Sequence, residues 1–403
     1  MEINVNTIQP PTAMLCVQKF NEIYKREPDG VAFCPYRICP IGAHSDHNLG
    51  KITGFAIDRG IHIAYRAKQN GVVELCSLQF DKRAQWHVRS VPETRQGDWA
   101  DYLRGITLEL GQRYPLSTGL SGVIEGTLPI GGLSSSAAVC IAMLQALCRV
   151  NSITLSPAET IDIAKAAENN YVGVSCGKLD QSCEVYSRAN GLLYLDCRDD
   201  SFEIIPAPAT MKPWKVAIFF SGVERNLAGS AFNMRVDEAR SAAYALKALE
   251  GMDYGKFADT NLRDVPVEVF ERRKHQLPDT WRLRAEHWYT EQARVEAGVE
   301  AWRRGDIEAY GQFSFASGRS SIEHWQTGSP ELKTLYDIMT RTKGIYGGRF
   351  SGAGFKGCCM ALIDPAYEES ILQSVQAAYL KSFPALEGKY MGITVNTRDG
   401  VSI

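Results

Sequence analysis

The sequence predicts a protein of mixed helices and strands, built as two lobes that share an interface. Three observations carry this. The chain has 403 residues, more than one hydrophobic core usually organises. Up to about residue 130 it reads mostly as short β-branched runs bounded by turn residues, whereas from Ser230 to about Arg304 apolar residues recur at 3.6-residue spacing beneath charged outer faces. Hydrophobic residues at 45% and charged residues at 22% are ordinary for a folded soluble chain.

Taken in order, "GFAIDRGIHIAYRA" and "GVVELCSLQF" predict strands, and "WADYLRGITLELGQRY" predicts a helix ending near Gly111. "GVIEGTLPIGGLSSSAAVCIAMLQALCRV" runs from a strand through a Gly- and Ser-rich turn into an apolar helix. "SPAETIDIAKAAENNY" opens with a capping box, Ser156 as N-cap, Pro157 at N1 and Glu159 at N3. "ANGLLYLDC" and "WKVAIFFSG" read as buried strands. The polar stretch "CRDDSFEIIPAPATMKP" between them is the expected junction, giving lobes of residues 1–205 and 206–403. A second Gly-rich turn, "YGGRFSGAGFKGCCMALID", leads into a strand.

A net charge of -2 argues against a nucleic-acid partner. The eleven cysteines form no CxxC pair and no zinc spacing, so they read as reduced, buried thiols. The N-terminus lacks a basic region followed by an apolar core, and no apolar run nears the ~20 residues that span a bilayer. The expectation is a soluble, cytoplasmic protein.

"LPIGGLSSSAAV" offers close backbone approach at its glycines and three hydroxyls at a helix start, which suits a phosphate and equally suits a Ser-capped helix. "GRFSGAGFKGCC" reads as a ligand-contacting loop or as a hairpin bulge. Asp180, in "CGKLDQS", reads as a reactive carboxylate or as an N-cap. Arg37, His44, Asp46, His47 and Asn48 cluster as a polyhydroxyl ligand requires, though each also serves as a turn residue.

In this order, these motifs resemble the GHMP small-molecule kinases and, within them, the galactokinases, over nearly the whole chain. "PYRICPIGAHSDHNLG" resembles the galactokinase sugar signature, "LPIGGLSSSAA" the phosphate loop and "CGKLDQ" the catalytic Asp segment. "GLLYLDCRD", "RFSGAGFKGC", "WADYLRG" and "AWRRGDIEAYGQF" match further stretches. The pairing of PYRICPxGAHxDH with RFSGAGFxGCC is closer still to plant-type galacturonokinases.

The resemblance implies a two-lobed α+β fold in which ATP, Mg²⁺ and a sugar or sugar acid meet in the cleft between lobes, the γ-phosphoryl group passing to the anomeric hydroxyl. Carried over by position, Asp180 is the catalytic carboxylate and Arg37 its partner. Gly131, Gly132, Leu133, Ser134, Ser135, Ser136 and Ala137 cradle the phosphates, Ser136 and Glu168 hold the metal, and Ser351, Gly352, Ala353 and Gly354 form the second nucleotide-side loop. Tyr36, Ala43, His44, Asp46, Gly177 and Phe232 surround the sugar. Three departures stand out: the phosphate loop is one residue short, Phe232 replaces a sugar-facing Tyr, and Ala43 replaces a Glu that receives the C6 hydroxyl. The last favours galacturonic acid as substrate over galactose, with Tyr36, His47, Arg59 and Lys178 as unranked partners for its carboxylate. A catalytically silent sensor is disfavoured, because Arg37, Asp180, Glu168 and the Ser triplet are all present.

Overall fold

The computed structural model describes residues 11–223 and 229–401; most of the N-terminal stretch read above as leader-free lies outside them. The chain opens with α1 (Pro11–Tyr24), β1 (Gly30–Ile38), the long β2 (Lys51–Lys68), β3 (Val72–Ser77) and β4 (Ala84–His87). Then come α2 (Asp101–Arg113), β5 (Gly119–Gly126), α3 (Ser135–Asn151), α4 (Pro157–Ala166), α5 (Leu179–Tyr186), β6 (Gly191–Asp196) and β7 (Phe202–Pro206). The remainder comprises β8 (Lys215–Phe220), α6 (Gly229–Glu250), α7 (Val267–Arg273), α8 (Asp279–Arg303), α9 (Ile307–Glu323), α10 (Pro330–Met339), β9 (Ile345–Phe350), β10 (Cys358–Ile363), α11 (Glu368–Ser382), β11 (Met391–Val395) and β12 (Thr397–Arg398).

Two sheets organise these elements. The first runs β4-β3-β5-β2-β6-β7, with β1 and β12 also paired to β2. The second runs β11-β8-β10-β9 and is antiparallel throughout. β2 is long because it changes partners, Lys51–Gly54 bonding β6 and Ile61–Lys68 bonding β5. α3 is apolar on nearly all sides and sits in the main core with Leu103, Ile106 and Ile124, as a helix without a polar face must. The capping box holds: Ser156 Oγ accepts Glu159 N–H and Glu159 accepts Ser156 N–H.

Several boundaries differ from expectation. α2 continues past Gly111 to Arg113, and Tyr114 N–H closes it on Leu110 O. The Ser230–Arg304 segment is broken between α6 and α7, where Gly251, Gly255 and Pro266 interrupt the helical register. Five of the seventeen residues of the expected junction, Phe202–Pro206, form β7, which pairs with β6 and buries Ile205. α9 was not apparent from periodicity, because its Gly and Ser residues weaken the helical signal. They serve packing instead: Gly311 lies directly on the backbone of Tyr346 at the start of β9. The eleven cysteines are free and buried or half-buried. No helix of the described residues is long and apolar enough to cross a membrane.

Candidate active site

The turn between β5 and α3 is where phosphate chemistry was expected. Ser134 occupies the N-cap of α3 with φ 65°, yet its side chain makes no capping bond. Its hydroxyl is buried and has no hydrogen-bond partner among the described residues. Ser134 therefore leaves the first-turn N–H groups of α3 uncapped, at the positive end of the helix, where an anion binds. The loop between β9 and β10 lies against this turn: a Cβ on Gly352 would stand 2.9 Å from the Gly132 Cα, and one on Gly357 2.7 Å from the Gly131 carbonyl carbon. These glycines permit one loop to seat on the other.

Arg37 joins that turn to the Asp180 segment. It stands near the end of β1 and is 3% exposed. Its Nη1 donates to Gly132 O at 3.1 Å and its backbone N–H to Leu133 O. Nε and Nη2 both reach Asp180 Oδ1, at 2.8 and 2.7 Å. Burial works against the guanidinium charge, but the Asp180 carboxylate outweighs it and raises the Arg37 pKa. Asp180 lies in the first turn of α5, whose N-cap is Lys178, so its carboxylate is not a cap. Its side chain is 26% exposed and faces the cavity.

The loop after β1 is where the sugar is expected, hence the sugar loop. Ala43 and His44 line the cavity, and Asp46 accepts Leu179 N–H at 3.1 Å. Gly177 is glycine for space: a Cβ there would come within 2.3 Å of Asp46 Oδ2. The loop backbone is held from the second half of the chain by one face of α8. Gly42 N–H donates to Glu291 Oε1 at 2.6 Å, His287 Nε2 bonds Ala43 O at 3.1 Å, Trp288 Nε1 donates to Ser45 O at 3.2 Å, and Lys51 N–H donates to Gln292 Oε1 at 2.6 Å. Glu291 is buried, yet Arg294, His287 and Arg349 overcome that burial and hold its carboxyl down at about 2. Arg349, fully buried, bonds Ser317 and Ser321 behind it. Rings of His44 and His47 stack on Trp325, and Phe232 meets His47 edge-on.

Glu168 sits in the π-turn after α4, where its carboxylate accepts from Gln181 Nε2 and the Cys176 thiol, each at 3.2 Å. It shares the cavity wall with Ser136. Among the described residues no group of three or more His, Cys, Asp or Glu could cage a metal. One carboxylate and one hydroxyl, with phosphate and water oxygens completing the shell, is the donor set Mg²⁺ accepts.

The cavity thus gathers Arg37, Ala43, His44, Asp46, Gly132, Ser134, Ser135, Ser136, Glu168, Asp180, Phe232, Gly352 and Ala353 in one wall. Other expected residues do not face it. Tyr36, expected at the sugar, does not reach it: strand alternation turns it away from Arg37 into the core, its hydroxyl against Gly126. Leu133 and Ala137 are buried in the main core or beneath the turn and offer only backbone. Gly131, Ser351 and Gly354 serve the seating of the second loop, Gly354 packing on Thr327. Gly177 lines an adjoining chamber. Of the residues considered for a carboxylate, Arg59 pairs with Asp58 outside the cavity wall and Lys178 with Asp200. Lys356, which the sequence reading passed over, lies in the wall; its signal was a lone cation inside a Gly-rich loop. The α8 residues were missed because their polar side chains look like an exposed face.

The galactokinase galactose-binding signature matches residues 18–67, the N-terminal domain of GHMP kinases residues 100–188 and the C-terminal domain residues 299–381. A galacturonokinase of Arabidopsis thaliana is 36% identical over 382 residues, spanning 90% of this chain and 89% of that protein. A galactokinase of Roseiflexus sp. (strain RS-1) is 31% identical, spanning 90% of each. Lactococcus lactis galactokinase, solved in complex with galactose, superposes with a TM-score of 0.87 at 25% identity, covering 97% of this chain and 99% of that one. A mevalonate kinase at 14% identity and a TM-score of 0.64 shares the fold. With relatives of this identity along nine-tenths of its length, the chain belongs to the galactokinase family of GHMP kinases and is a sugar-1-kinase that uses ATP with Mg²⁺.

Proposed function

We propose that the chain phosphorylates D-galacturonic acid at its anomeric hydroxyl, giving galacturonic acid 1-phosphate. The observation that carries this is Ala43. Its backbone is fixed by its carbonyl bond to His287 and by the neighbouring Gly42–Glu291 bond, so a methyl lines the wall where the family resemblance puts a carboxylate. A Glu there would face the uronate carboxylate. At ~4 Å and an effective dielectric of ~20 the repulsion is about 4 kcal/mol, roughly a thousandfold in affinity. Beside the methyl, His44 has a buried Nε2 without a partner among the described residues. Burial first, then Arg349, lowers its pKa well below the usual value, so the ring is neutral and adds no fixed charge to the wall.

Phosphoryl transfer needs positioning and charge stabilisation more than covalent chemistry. Asp180 orients the anomeric hydroxyl and takes its proton. Arg37, bonded both to Asp180 and to the Gly132 carbonyl, keeps that carboxylate in register with the phosphate loop. Ser134, Ser135, Ser136 and the α3 N-terminus receive the phosphates, with Lys356 in the same wall. Ser136 and Glu168 would hold Mg²⁺, which supplies neutralisation of the transferring phosphate charge.

The test is an ATP-coupled assay on a sugar panel with wild type and Ala43→Glu. Wild type should prefer galacturonate, and the substitution should move the preference toward galactose. A wild type that prefers galactose, or a preference untouched by Ala43→Glu, would sink this reading in favour of a plain galactokinase.

A further inference from the structure

Beside the catalytic cavity lies a second chamber of about 270 Å³, sharing Asp46 and Cys176 with it. Lys165, Lys178 and Arg240 line it, together with His47. Its charges are partly answered: Lys178 bonds Asp200 and Asp162, Arg240 lies 4.0 Å from Asp237, and the Asp46 carboxylate accepts Leu179 N–H. Two buried donors in the wall are not answered. Arg240 Nε has no partner among the described residues. His47 is only 8% exposed, and its protonation can be deduced. Asn48 Oδ1 accepts Leu262 N–H at 3.0 Å, so the Asn48 amide nitrogen faces His47 Nδ1 at 2.8 Å as donor. Nδ1 therefore accepts, and the neutral ring carries its proton on Nε2, which also lacks a partner among the described residues. Buried donors are almost always satisfied, so two orphans in one cationic wall call for an acceptor there.

We propose that this chamber is an oxyanion subsite, with His47 Nε2–H and the Arg240 guanidinium as donors to a carboxylate or phosphate group. Where that group is the C6 carboxylate of the sugar acid, the proposal rests on the function proposed above. Phe232 stands between the two compartments: it lines the catalytic cavity and meets the His47 ring edge-on. A free phosphate-type anion has the same chemistry and needs no sugar acid.

Arg240→Gln in the full-length enzyme separates the sources, with Arg240→Lys as the charge-retaining control and melting temperature as the check on folding. If the substrate carboxylate is the ligand, Arg240→Gln raises KM for galacturonate about tenfold, the loss of one charge-assisted hydrogen bond, and leaves KM for galactose and ATP in place. If a free anion is the ligand, KM for galacturonate stays put. Inorganic phosphate, titrated calorimetrically onto enzyme saturated with Mg²⁺ and a non-hydrolysable ATP analogue, then binds about tenfold more weakly to the variant. Either result supports the subsite, and Arg240→Lys retains part of the affinity. A folded Arg240→Gln that changes neither measurement overturns it and leaves the chamber to water. Wild type inactive on galacturonate would defeat the proposed function, while the phosphate titration would still decide the subsite.

Discussion

Arg37 and Asp180 form one unit, because a single guanidinium touches the Asp180 carboxylate and a carbonyl of the turn before α3. Removing the negative charge while keeping the shape isolates the proton-transfer role. Asp180→Asn should lower kcat by ~10²–10⁴, the usual worth of a positioned base, with KM for sugar and ATP little changed. Steady-state kinetics on both substrates reads this; a kcat near wild type would remove Asp180 from the chemistry. Arg37→Lys should also lower kcat, since a single ammonium cannot reproduce a planar fork that bonds two groups at once. That Asp180 stands in the cavity was legible in the sequence, because its segment resembles a catalytic pattern. Its distinction from an N-cap was not, because only the fold shows Lys178 holding that position.

α8 controls the sugar loop from more than two hundred residues away in sequence. Its four contacts come from positions i, i+1, i+4 and i+5, one face of a helix. In the sequence those residues look like part of a charged outer face, and only packing against the sugar loop turns them inward. Glycines and serines were easier to read, because their chemistry is local to the turn they build. Glu291 is the member whose loss should cost most, for it leaves Gly42 N–H, Arg294 and Arg349 facing a gap; breaking such a buried ion pair costs about 3–5 kcal/mol. Glu291→Ala should raise KM for the sugar roughly tenfold while leaving KM for ATP alone. Glu291→Gln retains an acceptor for Gly42 N–H and should restore most sugar affinity while remaining less stable than wild type. Equal changes in both KM values, or no rescue by Gln, would reduce Glu291 to a purely structural residue.

On the scale of the molecule, the mixed α+β class and the order of loops around the cavity followed from pattern and resemblance, whereas the two-sheet topology and the burial of ionisable groups could not be read without the fold. That burial sets the pH dependence of stability. Burial, then neighbouring cationic groups, lowers the pKa of His44 and His47, the latter to about 3; burial, against the opposing Glu291 charge, lowers that of His287 to about 4, and burial lowers that of His62 to about 4. Between the ordinary histidine value near 6.5 and these depressed values, the unfolded chain binds protons that the folded chain refuses. Stability therefore falls as pH drops through that window, each histidine contributing up to about 1.4 kcal/mol per pH unit. Burial also raises Asp46, Glu125 and Glu184, which act in the opposite sense above the normal carboxylate range and offset part of that loss. Glu291 extends the acid loss below pH 4.5, because its folded carboxyl stays ionised down to about 2. Denaturant unfolding at pH 7.5 and pH 5 should show the lower stability at pH 5. His62→Gln, in β2 and outside the cavity wall, should flatten the slope by about one proton. A stability that is level or rising toward pH 5 would mean that these histidines take up protons in the folded state.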